Sequence, residues 1–236
     1  MGMPIYAHRG ASAYELENTM EAFRKALKLG ANGIELDVQC SKDGQLIVFH
    51  DNNIKRLTGI NRLVQDCTLA ELQNYRLGKR FSRIFSAKRM PLLQDVIKWA
   101  LIERVALNIE LKESLTSNYD ALIALLKTIE LPKNSHFSSF HEQLLIMVKK
   151  YRPDIETALL VTKKFDWGKL DSLPHIDAIH AHKKYYRRSY LKACEYAGKS
   201  MRFYSITGKE SFITQPHPVV VGWITDYPDI VSEKGG

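Results

Sequence analysis

The sequence has few cysteines and no long apolar run. Its three cysteines, Cys40, Cys67 and Cys194, are widely spaced and form no CxxC pair, which favours reduced thiols and a cytoplasmic setting. No stretch approaches the roughly 18 apolar residues of a membrane span. The first residues also contain no apolar stretch of signal-peptide length. We therefore expect a cytoplasmic protein without stable membrane insertion.

Internal repeats, low-complexity tracts and linker-like segments are also absent from the 236 residues. Single α/β barrels have about this length, so we expect one domain covering residues 1–236. The hydrophobic content of 45% is sufficient for a globular core. The 34 Lys and Arg residues exceed the 26 Asp and Glu residues, giving a net charge of +8. This charge favours anionic partners such as phosphate esters, nucleic acid or a lipid surface, without choosing among them.

Two carboxylates interrupt an apolar segment at residues 34–38. Alternate side chains of a strand share a face, so Glu35 and Asp37 would point one way and their apolar neighbours the other. Like charges disfavour joint ionisation. A bound cation is the simplest compensation for two acids in such a position.

A second apolar run, residues 46–49, leads directly to His50. The short separation favours a hairpin, since a parallel crossover needs a dozen or more residues, and Asp43-Gly44 is a strong turn signal. A turn centred on this pair would place His50 opposite Asp37. A slip of one or two positions would still bring the imidazole beside the paired acids.

Eight predicted strands alternate mostly with helical segments. They lie near residues 4–8, 33–38, 105–111, 135–140, 156–161, 178–181, 202–206 and 219–224. This alternation is typical of parallel strands joined by crossover helices. It predicts a TIM (β/α)8 barrel, whose sites gather at the carboxyl ends of the strands. We expect residues 52–90 to form a small insertion between the second and third barrel strands, over one mouth.

Charged side chains cluster at the ends of the first three barrel strands. The strands end in His8 and Arg9, in Glu35 and Asp37, and in Glu110 and Lys112, respectively. Because these ends converge on one mouth of a barrel, we expect all six to meet there, together with His50.

The order of these motifs resembles that of glycerophosphodiester phosphodiesterases of the bacterial cytoplasmic type. The shared motifs are His8-Arg9-Gly10, Glu17-Asn18-Thr19, residues 33–38, Asp43-Gly44, His50-Asp51, Leu57-Thr58-Gly59, Pro91-Leu92-Leu93, residues 109–112, Ser139-Phe140 and residues 224–229. The resemblance covers nearly the whole chain. Two departures concern the rim and the substrate pocket. Tyr204-Ser205-Ile206-Thr207 replaces the usual Trp-Thr-Val-Asn, and Tyr227 replaces the usual Arg.

The resemblance implies a barrel enzyme that hydrolyses glycerophosphodiesters to sn-glycerol 3-phosphate and an alcohol, using one divalent cation, Mg²⁺ or Ca²⁺. The roles it implies are metal binding by Glu35, Asp37 and Glu110, acid and base catalysis by His8 and His50, and phosphate binding by Arg9 and Lys112. These roles agree with the residue chemistry. Carboxylate oxygens suit hard cations, imidazoles titrate near neutrality, and basic side chains bind phosphate oxygens.

Two alternative functions are weighed against this one. A lysophospholipase-D-like phosphodiesterase would need an apolar groove for an acyl chain, and the basic composition of residues 52–90 argues against such a groove. A non-catalytic module could bind anions or nucleic acid through its basic surface, although the intact histidines favour an enzyme. We expect a small glycerophosphodiester as the partner and no nucleic acid, and the sequence leaves a homo-oligomer open. Arg9 could instead only brace a carboxylate, and Glu110 with Lys112 could be a structural ion pair.

Overall fold

In the computed structural model, which describes residues 2–235 apart from the side chains of residues 80–82, eight parallel strands form a closed barrel. The strands are β1 (Ile5–His8), β2 (Gly33–Cys40), β3 (Leu46–Val48), β4 (Ala106–Leu111), β5 (His136–Ser139), β6 (Glu156–Leu160), β7 (Ala178–His182), β8 (Ser200–Ile206) and β9 (Val220–Thr225). The ring runs β1-β9-β8-β7-β6-β5-β4-β2 and is closed by the β1–β2 pairing. Strand β3 pairs antiparallel with β2 outside the ring. The predicted TIM barrel is confirmed.

Helices surround the barrel and also occur in the insertion. They are α1 (Met20–Lys28), α2 (Lys55–Thr58), α3 (Leu69–Asn74), α4 (Leu93–Glu103), α5 (Tyr119–Thr128), α6 (Glu142–Tyr151), α7 (Arg188–Tyr196) and α8 (Pro228–Gly235). Helix α1 begins after Thr19, whose hydroxyl accepts a hydrogen bond from the Ala22 N–H at 3.3 Å and so caps the helix. Within the described residues, every helix is too short or too polar to cross a membrane.

The insertion between β3 and α4 has an apolar cluster of its own. Its buried members are Ile47, Phe49, Ile54, Leu57, Val64, Cys67, Leu72, Leu77 and Met90. Helix α3 begins at a capping box in which Thr68 and Glu71 each bond the other's backbone N–H. The segment that looks polar and irregular in the sequence is therefore held in place by hydrophobic packing.

The β2–β3 hairpin differs by one residue from the predicted register. Phe49 and not His50 lies opposite Asp37, and the Phe49 N–H donates to the Asp37 carbonyl at 3.0 Å. The turn occupies residues 42–44 and ends in Gly44, whose φ is +75°. Such three-residue loops place a glycine in the left-handed region, whereas the prediction assumed a two-residue turn. The extra loop residue shifts every cross-strand pair by one.

The barrel interior contains polar and aromatic side chains where branched aliphatic residues dominate in most barrels. His136 and His180 are fully buried and meet edge to face, with ring centroids 5.2 Å apart. The Tyr6 ring packs edge-on against His136, and the Arg202 guanidinium lies 5.6 Å from the Tyr6 centroid while pairing with Glu156. Burial, reinforced by the charge of Arg202, lowers the pKa of both histidines well below 6.5.

These buried imidazoles predict that the protein loses stability in acid. A histidine of the unfolded chain titrates near 6.5, so below about pH 6.5 the unfolded state binds protons that the folded state does not. Each such histidine then lowers the free energy of unfolding by up to about 1.4 kcal/mol per pH unit, until the pH passes below its folded-state pKa. Glutamine has no charge at any pH. In urea unfolding between roughly pH 6 and 5, we expect the free energy of unfolding of His180→Gln to depend less steeply on pH than that of the wild type, by about that slope. Equal slopes for the two proteins would contradict the prediction.

Candidate active site

Strand register brings the predicted residues together at the carboxyl-terminal mouth of the barrel. His8 pairs with Glu35 across β1 and β2, and Asp37 pairs with Glu110 across β2 and β4. A cavity of about 230 Å³ is lined by His8, Arg9, Glu35, His50, Glu110 and Lys112, among other residues. Asp37 is buried next to this cavity, with 1% of its surface exposed. The structure therefore places all seven residues in one site.

The three acids Glu35, Asp37 and Glu110 form a compact buried group. One oxygen from each lies within 4.8 Å of the others. Burial, followed by the negative charge of Asp37, raises the pKa of Glu35 to about 8 and also raises that of Glu110. Asp37 itself has a lowered pKa, since nearby cations outweigh the effect of its burial. Full ionisation of all three acids thus requires more positive charge in the site.

Two basic side chains supply part of that charge. The Lys112 Nζ lies 2.7 Å from Glu110 Oε1 and 3.3 Å from Asp37 Oδ1. The Arg9 Nε lies 3.2 Å from Asp37 Oδ2, and the Arg9 backbone N–H donates to Glu35 Oε2 at 2.8 Å. With all five side chains ionised, the three acids and two bases leave one net negative charge. Every atom that the acids offer to a metal ion is an oxygen. This set fits a hard divalent cation.

The turn after β1 orients the Arg9 side chain towards the acids. Arg9 has a φ of 56°, in the left-handed region that few non-glycine residues adopt. At Gly10, with φ +80°, a Cβ atom would lie 2.7 Å from the Ala22 backbone carbon, so glycine permits this close approach to α1. The Arg9 guanidinium donates from Nη1 to Glu17 Oε1 at 2.8 Å. Arg9 therefore braces carboxylates and also lines the cavity, so the bracing role and a phosphate-binding role are compatible.

Two of the histidines that line the cavity, His8 and His50, are each held by an aspartate. His8 Nδ1 lies 2.7 Å from Asp226 Oδ1, and His50 Nδ1 lies 2.7 Å from Asp51 Oδ1. Because an ionised carboxylate only accepts hydrogen bonds, the Nδ1 atom of each histidine carries a proton. The Nε2 atoms are thereby left for proton exchange with a substrate.

The two histidines have pKa values shifted in opposite directions. Burial lowers the pKa of His8, but the hydrogen bond to Asp226 and the charge of Glu35 outweigh it, so the pKa is raised overall. Burial is also the largest influence on His50, and with the neighbouring cations it leaves the pKa of His50 lowered. Such a separation favours one proton donor and one proton acceptor.

Three supporting residues received no role from the sequence. Asp226 and Asp51 orient the histidines, and Asn18 donates from Nδ2 to Asp37 Oδ2 at 2.8 Å. Asp51 is itself held by the Arg56 Nε at 2.6 Å. Each of the three lies inside a motif that carries the family resemblance, and those motifs were the signal that could have identified them.

The two departures from the family pattern occupy different places. Tyr204 lines the cavity, and its ring packs edge-on against His182 with centroids 5.5 Å apart. Tyr227 contacts the Tyr14 ring with centroids 6.3 Å apart. The first departure therefore alters the pocket itself, and the second alters the loops around it.

The same motif order is found in a known protein family. A model of the glycerophosphoryl diester phosphodiesterase family matches residues 8–230. The chain belongs to this family. As a member of the glycerophosphoryl diester phosphodiesterases, it is an enzyme of the phosphoric diester hydrolase class, as the motif order predicted. Family membership favours this interpretation over a non-catalytic binding module.

Individual members of the glycerophosphoryl diester phosphodiesterase family resemble the chain over different lengths. A glycerophosphodiester phosphodiesterase from Caldanaerobacter subterraneus is 31% identical, covering 98% of each chain. A phosphodiesterase from Oleispira antarctica, solved in complex with the product sn-glycerol-3-phosphate, is 26% identical with a TM-score of 0.84, covering 99% of this chain and 96% of that one. A human lysophospholipase D is 40% identical over 113 residues, which is 45% of this chain and 35% of that protein.

Proposed function

We propose that this enzyme is a single-domain cytoplasmic phosphodiesterase that hydrolyses glycerophosphodiesters to sn-glycerol 3-phosphate and an alcohol with one divalent cation, Mg²⁺ or Ca²⁺. The observation that carries the proposal is the buried acid group Glu35, Asp37 and Glu110, beside a cavity that both His8 and His50 line. The product complex of the Oleispira relative supports glycerol as the retained group. The three cysteines are free and buried, which supports a reducing compartment.

Glu35, Asp37 and Glu110 are the residues that would hold the cation. A bound cation would neutralise phosphate charge and lower the pKa of a coordinated hydroxyl or water. Both Mg²⁺ and Ca²⁺ accept carboxylate oxygens, so the donor set alone does not separate them. Lys112 and Arg9 fix the orientation of the acids before any substrate binds.

His50 and His8 would move the protons. With its lowered pKa, His50 is suited to take the proton of the attacking hydroxyl at Nε2. With its raised pKa, His8 is suited to protonate the leaving alkoxide. Asp51 and Asp226 hold the two rings in the tautomers that these transfers require. The same pair serves whether water or the substrate's own glycerol hydroxyl attacks phosphorus first.

Lys112 and Arg9 would also bind the phosphate. A lysine ammonium has three donors, and two of those of Lys112 face Glu110 and Asp37. Arg9 donates a hydrogen bond from Nη1 to Glu17, and its Nε forms an ion pair with Asp37 at 3.2 Å without a hydrogen bond. The Nη2 atom takes part in neither contact. Each residue thus retains a donor for a phosphate oxygen while it neutralises the acids.

Release of glycerol 3-phosphate from glycerophosphocholine tests the proposed function. We expect activity that EDTA abolishes and that added Mg²⁺ or Ca²⁺ restores. Ethylphosphocholine, a diester that keeps the choline leaving group but has no glycerol, is the matched control, and it should release choline more slowly. Turnover that is unaffected by EDTA would contradict the metal requirement. Faster cleavage of the control diester would contradict recognition of the glycerol group.

A second candidate substrate is a lysophospholipid. The human lysophospholipase D relative favours it, as do the apolar side chains of Phe140, Leu160 and Ile224 in the cavity. However, a cavity of about 230 Å³ offers little room for an acyl chain. Choline release from glycerophosphocholine should therefore exceed that from lysophosphatidylcholine at equal concentration, and the reverse order would favour the second candidate.

A further inference from the structure

A short excursion of the insertion carries two neighbouring exposed apolar side chains. The excursion covers residues 76–89 and is closed near its base, where the Leu77 N–H donates to the Lys88 carbonyl at 3.0 Å. At its outer end Ile84 is 62% exposed and Phe85 is 89% exposed. Single exposed apolar side chains are common on protein surfaces, but two adjacent ones form an apolar patch, so this outer end is a candidate contact surface.

The same excursion has charge of only one sign. Residues 76–89 include six Lys or Arg residues and no Asp or Glu. The acids next to it already have basic partners. Glu15 Oε2 lies 2.5 Å from the Lys88 Nζ, which neutralises one of the six charges. Both Glu17 oxygens accept hydrogen bonds from Arg56, which lies outside the excursion. The excursion therefore presents a net positive surface around its apolar end.

The excursion lies on the side of the barrel where the active site opens. The Lys88–Glu15 ion pair joins it to the loop that follows β1. A cavity of about 410 Å³ lies between that loop, at residues 12–16, and residues 77–88. Loops that follow barrel strands form the catalytic mouth. Phe140, which lines the active-site cavity, is also 44% exposed on this side.

We propose that the excursion docks peripherally on a bilayer that contains anionic phospholipids. Ile84 and Phe85 enter the headgroup region, and the surrounding basic side chains bind lipid phosphates. Stable peripheral binding needs two signals, and this surface supplies an apolar one and a basic one. Nucleic-acid surfaces combine basic side chains with stacking aromatics, and an exposed isoleucine has no role in stacking. The excursion therefore fits a lipid surface better than a nucleic acid.

Sedimentation with vesicles tests the docking, with the whole chain in EDTA so that binding is separate from turnover. We expect binding to phosphatidylcholine vesicles that contain about 30% phosphatidylglycerol, little binding to phosphatidylcholine alone, and a marked loss between about 0.1 and 0.5 M salt. Phe85→Ser should weaken binding at least about tenfold, because it removes the larger apolar contact. Ile102→Ser is the matched control, since Ile102 is 79% exposed near the carboxyl end of α4, on the opposite side of the barrel.

The two variants decide the proposal. Equal binding by Phe85→Ser and Ile102→Ser would overturn it, as would failure of the wild-type protein to bind anionic vesicles. Binding to single-stranded RNA without binding to vesicles would assign the surface to nucleic acid and would also overturn it. Glycerol 3-phosphate release from soluble glycerophosphocholine should be unchanged in Phe85→Ser, so the docking and the proposed reaction can fail independently.

Discussion

The His8→Ala enzyme should release glycerol 3-phosphate from glycerophosphocholine roughly a thousandfold more slowly than the wild type, since a general acid contributes about 10²–10⁴-fold. The choline alkoxide is a poor leaving group and needs the proton that His8 would donate. His8 is placed for this step by Asp226, 2.7 Å from Nδ1, and its pKa is raised by that hydrogen bond and by Glu35 despite the opposing effect of burial.

The leaving group distinguishes a catalytic acid from a structural residue. A glycerophosphodiester of p-nitrophenol releases a stable phenolate, so its cleavage by His8→Ala should be within about tenfold of the wild type. Asp226→Asn keeps the shape of the partner but not its charge, and should show a smaller loss than His8→Ala on the choline substrate. Equal losses on both substrates in His8→Ala would mean that the residue supports the site without donating the proton.

Replacing Glu35 with glutamine should abolish both activity and the stabilisation that a divalent cation gives to the wild type. A ligand at a hundred times its Kd raises the free energy of unfolding by about 2.7 kcal/mol, which would appear as an increase in Tm on adding Mg²⁺ or Ca²⁺. The Glu35 carboxyl lies in the acid group of the cavity, and an amide is a weaker ligand for a hard cation.

The control for that experiment is the Tm of Glu35→Gln measured without added metal. In Glu35→Gln the amide Oε can still accept the Arg9 N–H, and the repulsion with Asp37 is removed. We therefore expect a metal-free Tm equal to or above that of the wild type, together with no response to either cation. A normal increase in Tm with metal would exclude Glu35 from the cation site, whereas a large fall in the metal-free Tm would show a folding role instead.

The barrel could be predicted from the sequence because its signals are local. Strands and helices alternate, and Glu35 and Asp37 fall on one face of β2 through the period of the strand alone. Their meeting with Glu110 follows from the rule that parallel strand ends converge. The hairpin register could not be fixed in the same way, since a turn of two or three residues is compatible with Asp43-Gly44, and a difference of one residue replaces His50 with Phe49 opposite Asp37.

Contacts between distant segments could not be predicted from local patterns. The bracing of Glu17 and Asp37 by Arg9 depends on a left-handed backbone at Arg9, which no residue preference indicates. The polar interior formed by residues such as His136 and His180 depends on which strand positions face inward at the same level of the barrel. The apolar cluster of the insertion is likewise assembled from residues spread along a segment without clear periodicity.

The hydrogen bond between His8 and Asp226 joins residues 218 positions apart. During synthesis the imidazole leaves the ribosome long before the carboxylate that orients it is translated. Until β9 pairs with β1, the Asp226 carboxylate neither orients the His8 ring nor raises its pKa. The newly made chain therefore cannot orient this imidazole until the ring closes, and the proton donation proposed for His8 would require a completed molecule.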